Sequence, residues 1–198
     1  MRTTGTVAAV LLYLTCSAAS AVTAGRAPPA FYSCTSYHCK TGREVQLSDA
    51  QWQAVRALFQ ADSSPREERR RLRQAIALLE RQTGAITGTS RDLAGNVAGA
   101  GLPGQLDCIA ESKNTTTYLQ LLSDAGLLKY HTVEAREMRH PLIFDVHWSA
   151  VIRDTRDNRR YAVDSWFLDN GQPPYVQPLK DWKSGRGFER GEEDLGDQ

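Results

Sequence analysis

The sequence predicts an α+β domain, on three observations. Two early stretches repeat apolar residues at helical spacing, and a third such pattern begins at Cys108. Beyond residue 130 only short β-branched and aromatic runs remain, broken by polar turns. The expected architecture is a set of N-terminal helices and a cysteine-bearing helix packed on a small antiparallel sheet. A chain of 198 residues, 41 % of them hydrophobic, has enough apolar surface for one such core. The 24 basic and 23 acidic side chains leave a formal charge of +1, so nothing marks nucleic acid as a partner.

Residues 1–24 read as a secretory signal: charged MRTTG, apolar TVAAVLLYLT, then small neutral CSAASAVTA. The apolar run falls short of the roughly 20 residues that span a bilayer. Val22-Thr23-Ala24 and Ala19-Ser20-Ala21 both satisfy the small-x-small rule for cleavage. A lipid-bearing Cys16 fits less well, because Tyr13-Leu14-Thr15 lacks a small residue just before it. The expectation is a periplasmic or secreted protein with no membrane contact after cleavage. Residues 25–46, with Pro28 and Pro29, read as an N-terminal arm lying on the domain rather than building it.

The domain itself is expected over 47–183. Ser48 caps a first helix with Gln51 as its reciprocal partner, and Trp52, Val55, Leu58 and Phe59 form the apolar stripe. Ser64, Pro65 and Glu67 open a second helix whose inward face is Leu72, Ile76 and Leu79. Its arginines from Arg66 to Arg73 interleave with glutamates and read as a solvated face. Residues 83–107, rich in glycine, read as one long loop. No lysine follows a spaced glycine pair there, which excludes a phosphate cradle. A helix over 108–124 ends at Gly126, with Cys108, Ser112, Thr115, Leu119 and Leu122 on one side. Strands are expected at 130–134, 147–152 and 161–167, then a proline-punctuated piece ending near Trp182. Residues 184–198, almost without apolar content, read as a disordered tail.

Signal cleavage leaves Cys34, Cys39 and Cys108, an odd count for an exported chain. Cys34 and Cys39 are near neighbours, and a local disulfide is the ordinary expectation outside the cytosol. With His38 they make a poor zinc pattern, since no second ligand cluster exists. Cys108 is therefore the thiol left over.

Pairing the last two strands as a hairpin, with the turn between Thr155 and Arg156, sets His147 opposite Asp164, Ser149 opposite Ala162 and Trp148 opposite Val163. One face then carries Trp148, Ala150, Ile152, Tyr161 and Val163; the other carries His147, Ser149, Val151, Ala162, Asp164 and Trp166. The helix of Cys108 offers a small polar side, Ser112 and Thr115, to the second face. Docked there, Cys108 would sit near His147. A thiol at a helix N-terminus beside an imidazolium favours its thiolate, and Asp164 would orient the imidazole. The N–H of Cys108 is an oxyanion donor by position. His131 and His140 are rival bases: the first lacks a carboxylate at matching register, and the second precedes Pro141 in a turn. Glu111 and Asn114 are expected to cap or solvate the helix. Trp166 lines the acyl groove or fills the core.

The segments DCIAESKNTTTYLQLLSDAGLL, HWSAVI and RRYAVDSWFLDNG resemble the transglutaminase-like superfamily of cysteine peptidases, especially its bacterial exported members. The resemblance covers residues 105–182. It implies a papain-like core with nucleophile Cys108, base His147 and orienting Asp164, working on a protein or peptide amide without a cofactor. It further implies an upstream side chain completing the oxyanion hole, for which Gln105 is the first choice and Asn96 a rival. Peptidoglycan is a possible substrate, although the peptidases of that polymer usually follow Asp-Cys with Ser-Gly, where this chain has Ile109-Ala110. Hydrolysis is expected over crosslinking, since water is always present as acceptor. A non-catalytic binding or scaffold domain with the same fold is the rival reading.

Overall fold

A computed structural model describes residues 27–60, 64–140 and 146–185. The expected signal segment and residues 186–198 of the expected tail lie outside them. Among the described residues, four helices and two small antiparallel sheets make up the α+β architecture.

The N-terminal arm builds part of the domain, contrary to expectation. Its strands β1 (Phe31–Cys34) and β2 (Gly42–Val45) form a hairpin, and Phe31, Val45 and nearby Leu47 enter the main core. Phe31 meets Tyr118 edge to face at 6.1 Å, which anchors the hairpin. The Cys34–Cys39 disulfide closes the turn between the strands, as expected.

Helix α1 (Asp49–Ala57) starts at Ser48 with the anticipated capping box to Gln51. Helix α2 (Pro65–Thr87) has Ser64 as its N-cap, a contact worth about 1 kcal/mol. The Glu67 side chain does not complete a box there; its carboxylate accepts from Arg70 and Arg71 instead. Gly88, at φ 90°, ends α2, so residues 83–87 belong to the helix and the loop starts later than predicted. The arginine row is also not uniformly solvated. Arg69 is fully buried, donating to Asp154 and the His131 ring and lying over Tyr161.

Helix α3 (Cys108–Asp124) has its predicted bounds. The main sheet runs in the order β3 (His131–Arg139), β4 (His147–Asp154), β5 (Arg160–Asp164), β6 (Tyr175–Pro178), every neighbour antiparallel. A short helix α4 (Leu179–Lys183) follows. β3 is longer than expected, whereas β5 stops at Asp164 and leaves Trp166 in the following turn.

Two sequence expectations about the sheet are corrected. First, Val151 pairs with Ala162 and Ala150 with Val163, so the hairpin register lies two residues from the expected one. Asn158, at φ 60°, lets a longer turn form than the one assumed. A two-residue slip preserves the faces, because side chains alternate with period two. Second, α3 packs on the opposite face. Tyr118, Leu119 and Leu122 share one core with Ala150, Ile152, Tyr161 and Val163. Three large apolar side chains outweigh the small Ser112 and Thr115 in choosing a face. The small residues on the other face make room for α4: Val151 and Ala162 pack against Leu179 and Trp182.

Candidate functional site

His147, the first residue of β4, donates from Nε2 to Asp164 Oδ2 at 2.7 Å, and both side chains are buried. Trp182 Nε1 donates to the same oxygen at 2.8 Å. With Nε2 committed to Asp164, Nδ1 is the ring nitrogen left to face the Cys108 thiol, which is close enough to the ring to raise its pKa. Burial alone would lower the His147 pKa. The hydrogen bond that the ring donates to Asp164, then its interaction with Cys108, and the charges of both outweigh it and raise the value to about 9. The ring is therefore an imidazolium at neutral pH.

Trp166 and Phe167 lie 5.0 Å and 4.9 Å from the His147 ring, and Trp182 lies at 5.8 Å, forming an aromatic cage. Arg139, opposite His147 in the β3–β4 register, stacks over Trp182 and Phe167 and donates to Trp182 O at 2.9 Å. Trp166 neighbours the His147 ring from the turn after β5 rather than from a strand, and its buried indole N–H has no partner among the described residues.

Cys108 is half-buried and free of any disulfide, at the first position of α3. Asp107 caps that helix by accepting from Ala110 N–H at 2.9 Å, which leaves the Cys108 N–H outside the cap. Asp107 also accepts from His38 N–H and faces His38 Nδ1 at 2.9 Å. The disulfide loop is thereby tied to the residue preceding the thiol. Asn114 fixes the same loop from the next turns of α3, accepting from Cys34 N–H at 2.8 Å and donating to Cys34 O. Its burial contradicts a solvated role.

Gln105 is buried. It donates to Arg91 O at 2.6 Å and accepts from Leu93 N–H and Asn96 Nδ2. Both oxyanion candidates thus hold the loop in shape, and the donor placed at the thiol is the Cys108 N–H. Glu111, expected to be solvated, is buried as well and shares a hydrogen bond with Asp92. Burial, then Glu80 and that hydrogen bond, pushes the Glu111 carboxyl well above its ordinary value, so Glu111 is the protonated donor of the pair. Burial raises Glu80 to about 7.

The rival bases are elsewhere. His131 has a carboxylate after all: Nδ1 donates to Glu68 at 2.9 Å while Nε2 accepts from Arg69. It pairs with Asp154 at the far end of β4, roughly 23 Å of strand from His147. His140 is exposed, next to residues 141–145, which lie outside those described.

Sequence reasoning missed Trp182, which sits in a segment read as merely extended, and the bulge in β3 between Glu134 and Glu137, which no periodicity reveals. Compared with known proteins, the chain matches no family model, and neither a curated protein nor a solved structure is similar enough to count as a match.

Proposed function

We propose that this protein is an exported thiol-dependent acyl-transfer enzyme with Cys108 as nucleophile, His147 as acid–base and Asp164 as orienting group. The observation that carries the reading is the chain of contacts from the Cys108 thiol through the His147 ring to Asp164 and Trp182. An imidazolium beside the sulfur stabilises the thiolate, and the thiolate attacks the carbonyl carbon of an amide. The Cys108 N–H receives the developing oxyanion. His147 then gives its proton to the departing amine, leaving a thioester, and in neutral form takes a proton from the water that hydrolyses it. Water as acceptor makes the protein a peptidase or amidase of papain-like topology, rather than a crosslinking transglutaminase. The Cys34–Cys39 disulfide suits the oxidising surroundings of a periplasmic or secreted protein.

The test is acylation by p-nitrophenyl acetate. We expect a burst of nitrophenolate and an acetyl thioester on Cys108 by intact mass, both lost in Cys108→Ser and slowed at least about a hundredfold in His147→Ala. Equal acylation of wild type and His147→Ala would favour the non-catalytic reading.

A further inference from the structure

We propose that Arg136 binds a carboxylate on the substrate, so that the preferred amide is one flanked by an acidic group. This rests on the acyl-transfer reading and adds the chemical class of the substrate to it. The position of Arg136 comes from a bulge in β3. Glu134 pairs with Val151 and Glu137 with Ser149, so three steps on β3 match two on β4. Without the extra residue Arg136 would share a face with Glu134, which meets Arg153 and Arg160. With it, Arg136 moves to the face covered by α3 and stacks over Trp148 at 4.9 Å. Bulges re-aim side chains in this way.

There the guanidinium donates to Ser112 Oγ at 3.0 Å and more weakly to Ile109 O at 3.4 Å, both on the first turns of α3. It is near enough to Cys108 to feel the charge of its sulfur. Several cations nearby have carboxylates: Arg153 and Arg160 meet Glu134, while Arg160 and Lys183 meet Glu137. Arg139 has none among the described residues but is taken up by Trp182 O and the rings of Trp182 and Phe167. Arg136 has no carboxylate partner among the described residues. It stands instead at the positive end of a helix, where a cation is disfavoured and an anion is favoured. The nearby acid Glu111 does not relieve this, because it is turned to Asp92. A half-buried, planar fork of donors, preset by Trp148 and Ser112 beside the nucleophile, suits a carboxylate.

A carboxylate can come from an aspartate or glutamate side chain or from a chain terminus, and both present the same group. The experiment uses two alkylating agents that differ in charge, iodoacetate and iodoacetamide, and reads their rate ratio at Cys108 by mass spectrometry. The ratio cancels any change in the sulfur itself. We expect it to fall about fivefold in Arg136→Gln, to be partly kept in Arg136→Lys, and to collapse for wild type in 1 M salt. An unchanged ratio in Arg136→Gln, or one insensitive to salt, overturns the proposal.

A second measurement on wild type identifies the source through protection of Cys108 from iodoacetamide by three peptides. Ac-Ala-Glu-Ala-NH2 carries only a side-chain carboxylate, Ac-Ala-Ala-Ala-OH only a terminal one, and Ac-Ala-Gln-Ala-NH2 neither. Stronger protection by either acidic peptide supports the proposal and names the source; equal protection by all three overturns it. Failure here with an intact acyl-thioester burst removes the acidic preference alone. Loss of the burst with a charge-dependent ratio removes the enzyme reading, and with it the amide preference, leaving Arg136 as a carboxylate-binding side chain only.

Discussion

Trp182 donates its indole N–H to the Asp164 oxygen that also holds His147, so one carboxylate atom ties α4 to the start of β4. The bond satisfies the indole N–H of a tryptophan that is completely buried at this point. It gives Asp164 Oδ2 two donors, His147 Nε2 and Trp182 Nε1, beside an aromatic wall.

Asp164→Asn removes the charge that raises His147. The expected result is a fall of the His147 pKa from about 9 toward or below its ordinary 6.5, read from imidazole NMR shifts across pH. Acylation of Cys108 should slow in parallel. A His147 titration unmoved by the substitution would mean that Asp164 does not set its charge.

Stability should fall as pH rises. His147 is raised to about 9 and Glu80 to about 7, so the folded state holds more protons than the unfolded one in both windows. Their contributions are complete below the unfolded values and are lost as pH climbs through the folded ones. For His147 this is about 3 kcal/mol between pH 6.5 and 9. Thermal melts from pH 5 to pH 9.5 should show a steady decline, and Glu111→Gln, which keeps a donor for Asp92, should make that decline shallower.

Arg69→Ala should destabilise the fold by about 3–5 kcal/mol, because it strands Asp154 without its buried cation. Denaturant melts check this. Arg69→Met should cost less than Arg69→Ala, since methionine refills the volume over Tyr161. Neither change should alter the alkylation chemistry of Cys108, which lies at the other end of the sheet.

Reducing Cys34–Cys39 opens a short loop, a loss of about 2 kcal/mol by chain entropy and roughly 4–8 °C in Tm. The more specific consequence is at Asp107. Released from His38, the cap at the start of α3 should exchange its amides faster. Hydrogen exchange at Cys108–Ala110 should therefore rise under reduction and in Cys39→Ser. Exchange confined to 31–45 would show that the loop does not support the cap.

How much of this could be read in advance depended on the physics of each element. The bounds of α3 were legible because Asp107 caps one end and Gly126 stops the other, both local events. His147 and Asp164 were legible on strands whose faces follow from period-two alternation, and Cys108 as the first residue of a capped helix. The register was not, because it depends on a turn that Asn158 lengthens. The docking face of α3 was misjudged by weighing Ser112 and Thr115 above Tyr118, Leu119 and Leu122. Arg69 and His131 were hidden for another reason: burying them requires Glu68 and Asp154 at once, a pairing far apart in sequence. Trp182 and Arg136 depend on a sheet edge and a bulge, which appear only when strands pair.

The central claim is that the Cys108 thiol and the His147 ring work as a pair. Its most direct test is the second-order rate of iodoacetamide alkylation at Cys108 at pH 6, compared between wild type and His147→Ala. The account predicts that wild type reacts at least about tenfold faster than the variant, since a positive charge beside a sulfur favours its attack on an electrophile. Equal rates in the two proteins, both matching an ordinary free thiol, would contradict it.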